Sequence, residues 1–130
     1  MESKRVSSNS FCKCWLEEQV LRITINPGLK LTLEGAQEVV KLRTELSQGK
    51  SYPILLDIRG LEIVDTETLD YLRGRESGGK LMQAVALIVE NEVERLIGEA
   101  FRYTHKSYFA YKIFTNEEEA LHWISQYVDN

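Results

Sequence analysis

A short run of acidic and hydroxyl side chains, Asp65-Thr66-Glu67-Thr68, follows an apolar stretch of the sequence. Asp and Thr can cap the exposed N–H groups at a helix start, and a Thr hydroxyl in that position can also accept a phosphate. Two interpretations stay open for Thr66: part of a helix cap, or a phosphoacceptor whose charge changes how a partner docks. The carboxylates of Asp65, Glu67 and Asp70 also suit a hard cation, but acidic first turns are common because they complement the helix dipole.

The C-terminal third of the sequence is rich in aromatic side chains. They could line a pocket for a small apolar ligand or a lipid, or form the surface of a homodimer, although aromatic residues at such spacings are more often ordinary core. The residues assigned to this ligand or dimer surface are Phe101, Tyr103, Tyr108, Phe109 and Tyr111.

The sequence lacks the patterns of known catalytic centres. His105 and His122 are its two histidines, and neither has a Cys, Asp or Glu at the spacing of a helical zinc motif. Nucleophile-elbow and dinucleotide-binding patterns are absent. Gly78-Gly79 precedes a predicted strand instead of a helix, where it cannot cradle a phosphate in the usual way. We therefore predict no enzymatic activity, no catalytic residue, no metal site and no cofactor.

The elements that position the first group of side chains start with the segment from Pro53 to Gly60. Its apolar run, bounded by Pro and Gly, predicts a strand buried on both faces, as parallel strands in α/β domains are. Asp57 lies near the strand's end, where it can accept backbone hydrogen bonds and orient the following loop. In an open α/β sheet this rim is where binding sites are usually built. The predicted partner-binding residues are Asp57, Asp65, Thr66, Glu67, Thr68 and Leu69.

The remaining segments alternate between strand and helix patterns. Alternating or continuous apolar runs predict five strands, at residues 11–17, 20–25, 53–60, 81–89 and 110–114. The first two are predicted to form an antiparallel hairpin. Helical spacing after a capping residue predicts helices at residues 32–48, 66–76 and 91–105. A fourth helix is predicted to follow a capping-box pattern at residues 115–118.

The order ββαβαβαβα is typical of an α/β domain with a mixed, mainly parallel five-stranded sheet and four helices. The chain of 130 residues suits one core. We assign residues 1–10, which are polar and Ser-rich, to a disordered N-terminal tail, and residues 11–130 to a single domain.

Composition argues against several functional classes. The net charge of -4 and the pI near 5.3 disfavour nucleic-acid binding, which usually needs a basic face. The first ten residues lack the apolar segment of a signal peptide, and no run reaches the roughly 20 apolar residues of a membrane span. Cys12 and Cys14 are predicted to be free, buried thiols, because their spacing is poor for a structural disulfide. We therefore expect a cytoplasmic protein without stable membrane insertion.

The order of elements and several residues resemble the STAS domain, the SpoIIAA-like family of anti-sigma-factor antagonists and sulfate-transporter tails. In that family a buried strand ends near an Asp, and a Gly-containing connector leads to an Asp-Ser pair at a helix start. Asp57, Gly60, Asp65 and Thr66 fall in this register, and the ending KIFTNEEEALHWI (112–124) is similar to the strand-turn-helix that closes many such domains.

The resemblance covers roughly residues 11–128 and implies a SpoIIAA-like fold and a non-catalytic regulatory module that binds a protein partner. Because the Ser of the antagonists is their phosphoacceptor, it also implies phosphorylation at Thr66 and a kinase or anti-sigma-like factor as partner. The chain departs from that pattern at Thr66, at Glu67 and at Thr68, which replaces a Gly, and it is more similar to small uncharacterised bacterial STAS-like proteins. Some STAS-like proteins are grouped with lipid carriers, so ligand binding and homodimerisation stay open as alternatives.

Overall fold

Strands and helices alternate along the part of the chain that the computed structural model describes, residues 6–74, 82–103 and 109–128. The strands are β1 (Val6–Ser8), β2 (Cys12–Glu17), β3 (Val20–Ile25), β4 (Lys30–Leu31), β5 (Ile54–Asp57), β6 (Ile63–Val64), β7 (Ala84–Ile88) and β8 (Ala110–Phe114). The helices are α1 (Leu33–Ser47), α2 (Thr66–Arg73), α3 (Glu92–Tyr103) and α4 (Glu117–Ser125).

Six of these strands form one mixed sheet, in the order β1-β2-β3-β5-β7-β8. β1, β2 and β3 pair antiparallel, whereas β3, β5, β7 and β8 pair parallel. A separate two-stranded parallel sheet joins β4 to β6. The predicted α/β architecture, with four helices and a mixed, mainly parallel sheet, is therefore confirmed, but the main sheet has six strands instead of five.

The additional strand is β1, which lies in the segment predicted to be a disordered tail. Val6 pairs with Trp15, so segment 6–8 extends the sheet beyond the hairpin. Backbone N–H and C=O groups form the ladder of a sheet, and a Ser-rich segment can supply them as well as an apolar one. The tail prediction is therefore wrong for residues 6–8, and residues 1–5 lie outside the described part of the chain.

The other predicted elements are present with shifted ends. Thr32 caps α1 as predicted, and α2 ends at Arg73, short of its predicted end. The capping box expected at 115–118 is displaced by one residue, because Asn116 caps α4 and its Oδ1 accepts the backbone N–H of Glu119 at 2.9 Å. Short capping motifs therefore locate a helix start to within a residue or two.

Alternation of side chains gives the sheet two buried faces. Leu21, Ile23 and Ile25 of β3 face the layer formed by α1, α2 and α3, whereas Leu55 of β5 and Ile88 of β7 face α4. Three helices thus cover one face and one helix covers the other. This two-sided burial explains why the central parallel strands are almost continuously apolar.

Cys12 and Cys14 are free thiols that lie fully buried on the face covered by the three helices. Their Sγ atoms are 4.0 Å apart. The Cys14 side chain and burial together raise the pKa of the Cys12 thiol. The prediction of two buried, unbridged thiols is confirmed.

One buried carboxylate joins the two connections that precede α2 and α3. Glu94 has no exposed surface, and its Oε2 accepts the backbone N–H of Gly60 at 2.7 Å and Nδ2 of Asn91 at 2.9 Å. Its Oε1 accepts the backbone N–H of Glu90 at 2.7 Å. The Asn91 side chain in turn accepts the backbone N–H of Glu94 at 2.9 Å, as the predicted cap of α3 requires. Three donors compensate the buried charge, so Glu94 fixes the connection between β5 and β6 against the start of α3.

We expect Glu94→Gln to destabilise the protein by about 1–3 kcal/mol, because Gln offers one acceptor oxygen where the carboxylate offers two and turns its NH₂ group toward an N–H donor. Urea unfolding followed by circular dichroism measures this difference. Glu92→Gln, an exposed change in the same first turn of α3, is the matched control and should stay within about 0.5 kcal/mol of wild type. Equal stability of the two variants would contradict the role of Glu94.

Candidate functional site

Asp65 is the N-cap residue of α2. Its Oδ1 accepts the backbone N–H of Thr68 at 2.8 Å, and its own backbone is extended, as that of an N-cap usually is. Thr66 is the first residue of the helix, and its side chain is exposed, like those of Asp65 and Glu67. Of the Asp-Thr pair, Asp65 therefore forms the cap, and Thr66 lies at the surface.

The capping contact also makes Asp65 a stronger acid. The Thr68 hydroxyl and the Thr68 backbone N–H lower the pKa of the Asp65 carboxyl, because both favour its charged form. The Thr68 hydroxyl is buried; its dipole favours the charged carboxylate, but it forms no hydrogen bond of normal geometry with any of the described residues. Asp65 therefore stays ionised, and able to cap, throughout the neutral range.

Two residues of the predicted partner-binding set point into the protein. Thr68 has no exposed surface, and Leu69 is 8% exposed. Helical periodicity turns both toward the sheet while Thr66 and Glu67 face solvent. Of the predicted residues at the start of α2, a partner can therefore reach Asp65, Thr66 and Glu67, but not Thr68 or Leu69.

Asp57 lies on the other face of the sheet. It follows Leu55 by two positions in β5, so its side chain projects toward α4 and away from α2. Its Oδ1 accepts the backbone N–H of Arg59 at 3.0 Å, and its Oδ2 accepts Nη2 of Arg59 at 2.6 Å. Asp57 thus orients the loop after β5, as predicted, but the structure does not bring it together with Asp65 and Thr66.

A charged network around Asp57 was not anticipated from the sequence. Nη2 of Arg22 lies 3.2 Å from Oε1 of Glu117 at the start of α4, and Nη1 of Arg22 lies 3.3 Å from Oε1 of Glu17. Nη2 of Arg59 lies 4.0 Å from the same Glu117 oxygen, and the Arg22 guanidinium lies 5.3 Å from the centre of the Trp15 ring. The network connects α4 to three neighbouring strands or their loops, so we assign it to the scaffold. Arg22, a charged residue within the predicted antiparallel hairpin, is its one signal in the sequence.

An apolar cavity of about 80 Å³ lies between the sheet and the three-helix layer. Two of the predicted aromatic residues, Phe101 and Tyr111, line it, and their ring centroids are 5.3 Å apart. The Tyr111 hydroxyl donates to the carbonyl oxygen of Gly98 at 2.9 Å, and burial raises the pKa of Tyr111. Arg43 of α1, which is 3% exposed, is the charged residue among the described lining residues. The cavity is therefore an apolar site with few polar groups at its wall.

Among the described residues of the predicted aromatic surface, Phe109 is buried and Phe101 and Tyr111 are half-buried. Phe109 is 8% exposed, and its ring centroid is 6.1 Å from that of Phe101 and 6.4 Å from that of Tyr111. The side chain of Tyr103 and the whole of Tyr108 lie outside the described part of the chain. The three described aromatic residues thus pack against one another beside the cavity, and Phe109 offers little surface to a second copy of the chain.

Within residues 6–74, 82–103 and 109–128, no three His, Cys, Asp or Glu side chains come together in a way that could hold a metal ion. Asp65, Glu67 and Asp70, which suit a hard cation in the sequence, therefore do not form such a group. The helices of these three ranges are all too short or too polar to cross a bilayer.

Comparisons with known proteins agree with this architecture. The family described as "Domain of unknown function (DUF7793)" matches residues 14–128. A crystal structure of an uncharacterized protein of the DUF3478 family with a SpoIIAA-like fold, from Shewanella loihica PV-4, is similar with a TM-score of 0.60 and 19% sequence identity, over 94% of this chain and 92% of that one. At this identity the likeness shows the fold alone, and it confirms the expected SpoIIAA-like fold. No curated protein matches the chain.

We expect the stabilising effect of the Asp65 cap to depend on pH. Because the pKa of Asp65 is lower in the folded protein, the part of the effect that comes from its charge is complete above the ordinary value of 3.8 and is lost as the pH falls through the lowered pKa. Urea midpoints of wild type and Asp65→Ala should therefore differ most at neutral pH and approach one another in acid, where the protonated Asp65 caps only through a neutral acceptor oxygen. Asp65→Asn, which keeps an acceptor oxygen, should retain most of the cap without this convergence.

Thr66→Ala is the second control and should stay within about 0.5 kcal/mol of wild type at every pH, because Asp65 supplies the cap. A constant difference between wild type and Asp65→Ala down to the acid limit would contradict the assignment of the cap.

Proposed function

The chain belongs to the DUF7793 family, and we propose that it is a non-catalytic regulatory module that binds a protein partner at the start of α2. The observation that carries this proposal is the exposed Thr66 beside an N-cap that Asp65 already forms. Because the cap does not need Thr66, its hydroxyl is available for modification or for contact with a partner. The SpoIIAA-like fold, together with the resemblance to anti-sigma-factor antagonists, supports a module of this type.

Phosphorylation of Thr66 is the switch that we propose for this surface. A phosphate adds about 1.5 to 2 negative charges at the first turn of α2, where the free backbone N–H groups and the helix dipole favour an anion. The carboxylates of Asp65 and Glu67 are exposed beside it and repel the same charge. The modified helix start is thus strongly acidic, and the affinity for a kinase or anti-sigma-like partner changes in the direction set by that partner's own charge.

We expect protein purified from its native cells to contain a fraction that is heavier by one phosphate, and we expect Thr66→Ala to lack this fraction. Intact-mass spectrometry with peptide mapping measures both. Thr115→Ala, which removes another exposed Thr next to a helix N-cap, is the matched control and should keep the phosphate. Modification of a different residue, or an unmodified mass under all growth conditions, would count against the switch.

A second candidate function, binding of a small apolar ligand, is favoured by the cavity beside Phe101 and Tyr111. An engineered apolar cavity of about 150 Å³ stays dry and binds benzene or xenon. The cavity of about 80 Å³ found here is smaller than that, and much smaller than pockets for drug-sized ligands at roughly 300–1,000 Å³. We therefore propose a short aliphatic or single-ring compound as ligand in preference to a whole lipid.

Xenon and benzene are suitable probes of this second function. We expect either one to shift the methyl NMR signals of Ile23, Leu87 and Ile97, which line the cavity, because the probe replaces empty space next to these methyl groups. Leu55 and Ile124, on the face covered by α4, are internal controls and should not shift. Unchanged signals at saturating probe, or equal shifts on both faces of the sheet, would refute binding in the cavity.

A further inference from the structure

Helix α3 presents an apolar stripe to solvent. Val93 is 54% exposed and Leu96 is 61% exposed. They lie three positions apart and so form one stripe along the helix, which half-buried Ala100 continues by one turn. The inner face of α3, with Glu94 and Ile97, packs toward the sheet instead. Neighbouring large apolar side chains that stay exposed on a folded protein are typical of a contact surface.

Charged side chains along the same helix follow a pattern that is complementary to itself. Glu92, Arg95, Glu99 and Arg102 alternate in sign at spacings of three, four and three residues. Followed from Arg102 back to Glu92, the row of charges has the same spacings, and each position has the opposite sign. A second copy of α3 lying antiparallel therefore has Arg95 opposite Glu99 and Glu92 opposite Arg102, with both pairs centred on Ile97.

We propose that this α3 flank, defined by Val93, Leu96 and the four charged residues above, binds a second copy of the chain in a two-fold symmetric, antiparallel helix pair. In an antiparallel helix pair the two-fold axis is perpendicular to both helices and passes between them, so each side of one helix lies against the same side of the other. The apolar stripes therefore meet each other, and so do the charged rows. A parallel arrangement would place like charges opposite one another and is disfavoured by repulsion.

The ion pair that already exists on this flank does not oppose the association. Arg102 donates to Glu99 within one chain, and the side chains are 51% and 44% exposed, respectively. An exposed pair of this kind contributes little to stability, so exchanging it for a pair with the second copy changes the free energy of the monomer only slightly. The association does not involve Thr66 and is therefore independent of the proposed switch.

The size of the flank sets the strength of the association. A helix of 12 residues is about 18 Å long, and its flank offers much less than the roughly 800 Å² per partner of a stable interface. We therefore expect a weak dimer that forms at high protein concentration and dissociates with added salt, because its ion pairs are exposed to screening.

Charge reversal with complementation tests the proposal in the full chain. Arg95→Glu and Glu99→Arg each place like charges opposite one another twice in a homodimer, so each variant alone should associate about tenfold more weakly than wild type. An equal mixture of the two variants makes both contacts attractive again and should regain the wild-type association. The double variant, with both changes in one chain, should also associate as wild type does. Sedimentation equilibrium over micromolar to millimolar concentrations measures all four samples.

The mixture separates an interface from an effect on the helix itself. Mixing does not restore a pair within one chain, such as the Arg102–Glu99 pair that Glu99→Arg breaks, so a loss from that source is not reversed in the mixture. Circular dichroism checks that each variant is folded. Restoration in the mixture supports the antiparallel pair, whereas a monomeric wild type at millimolar concentration, or variants that associate as strongly as wild type, would overturn it.

Discussion

The hydrogen bonds to the buried carboxylate of Glu94 determine how the connection before α2 lies against the start of α3. It accepts hydrogen bonds from Gly60 on the connection after β5 and from Glu90 at the end of β7, so two segments far apart in the sequence meet at one charge. A carboxylate can only accept, and each group presented to it is a donor, which is the arrangement that makes a buried charge tolerable. Because the chain from Gly60 leads directly to Asp65, the position of the α2 start is set by a residue of α3.

Side-chain periodicity predicted most of the fold because the central strands and helices bury regular apolar faces. The antiparallel hairpin, the two buried strands β5 and β7 and all four helices follow from spacing alone. β1, β4 and β6 do not, because strands of two or three residues have too few side chains to show a period. Their pairing depends on backbone groups of a neighbouring strand, which a pattern within the segment itself cannot show.

The candidate site was predictable in its residue types but not in its grouping. Asp65 and Thr66 lie where the Asp-Thr pair predicted a helix start. Leu55 and Asp57 lie two positions apart in one strand, so the sequence predicts that their side chains share a face of the sheet. Which face this is, and so whether Asp57 lies near Asp65 and Thr66, depends on the position of α4. The inward direction of Thr68 follows from helical spacing once the sheet is located. The aromatic residues of the C-terminal third indicate a pocket, and Phe101 and Tyr111 do line the cavity, but its size and position have no sequence signal, because they reflect how well two packed layers fill the space between them.

The cavity has a consequence for the way the molecule responds to force. It lies on the face covered by α1, α2 and α3, while the α4 face packs small residues such as Ala84, Ala86 and Ala120 against one another. Side chains around a void have lost contacts on one side, and pressure favours states in which such voids are eliminated. Rising hydrostatic pressure therefore destabilises the packing of the three-helix layer, where this void volume lies between the helices and the sheet.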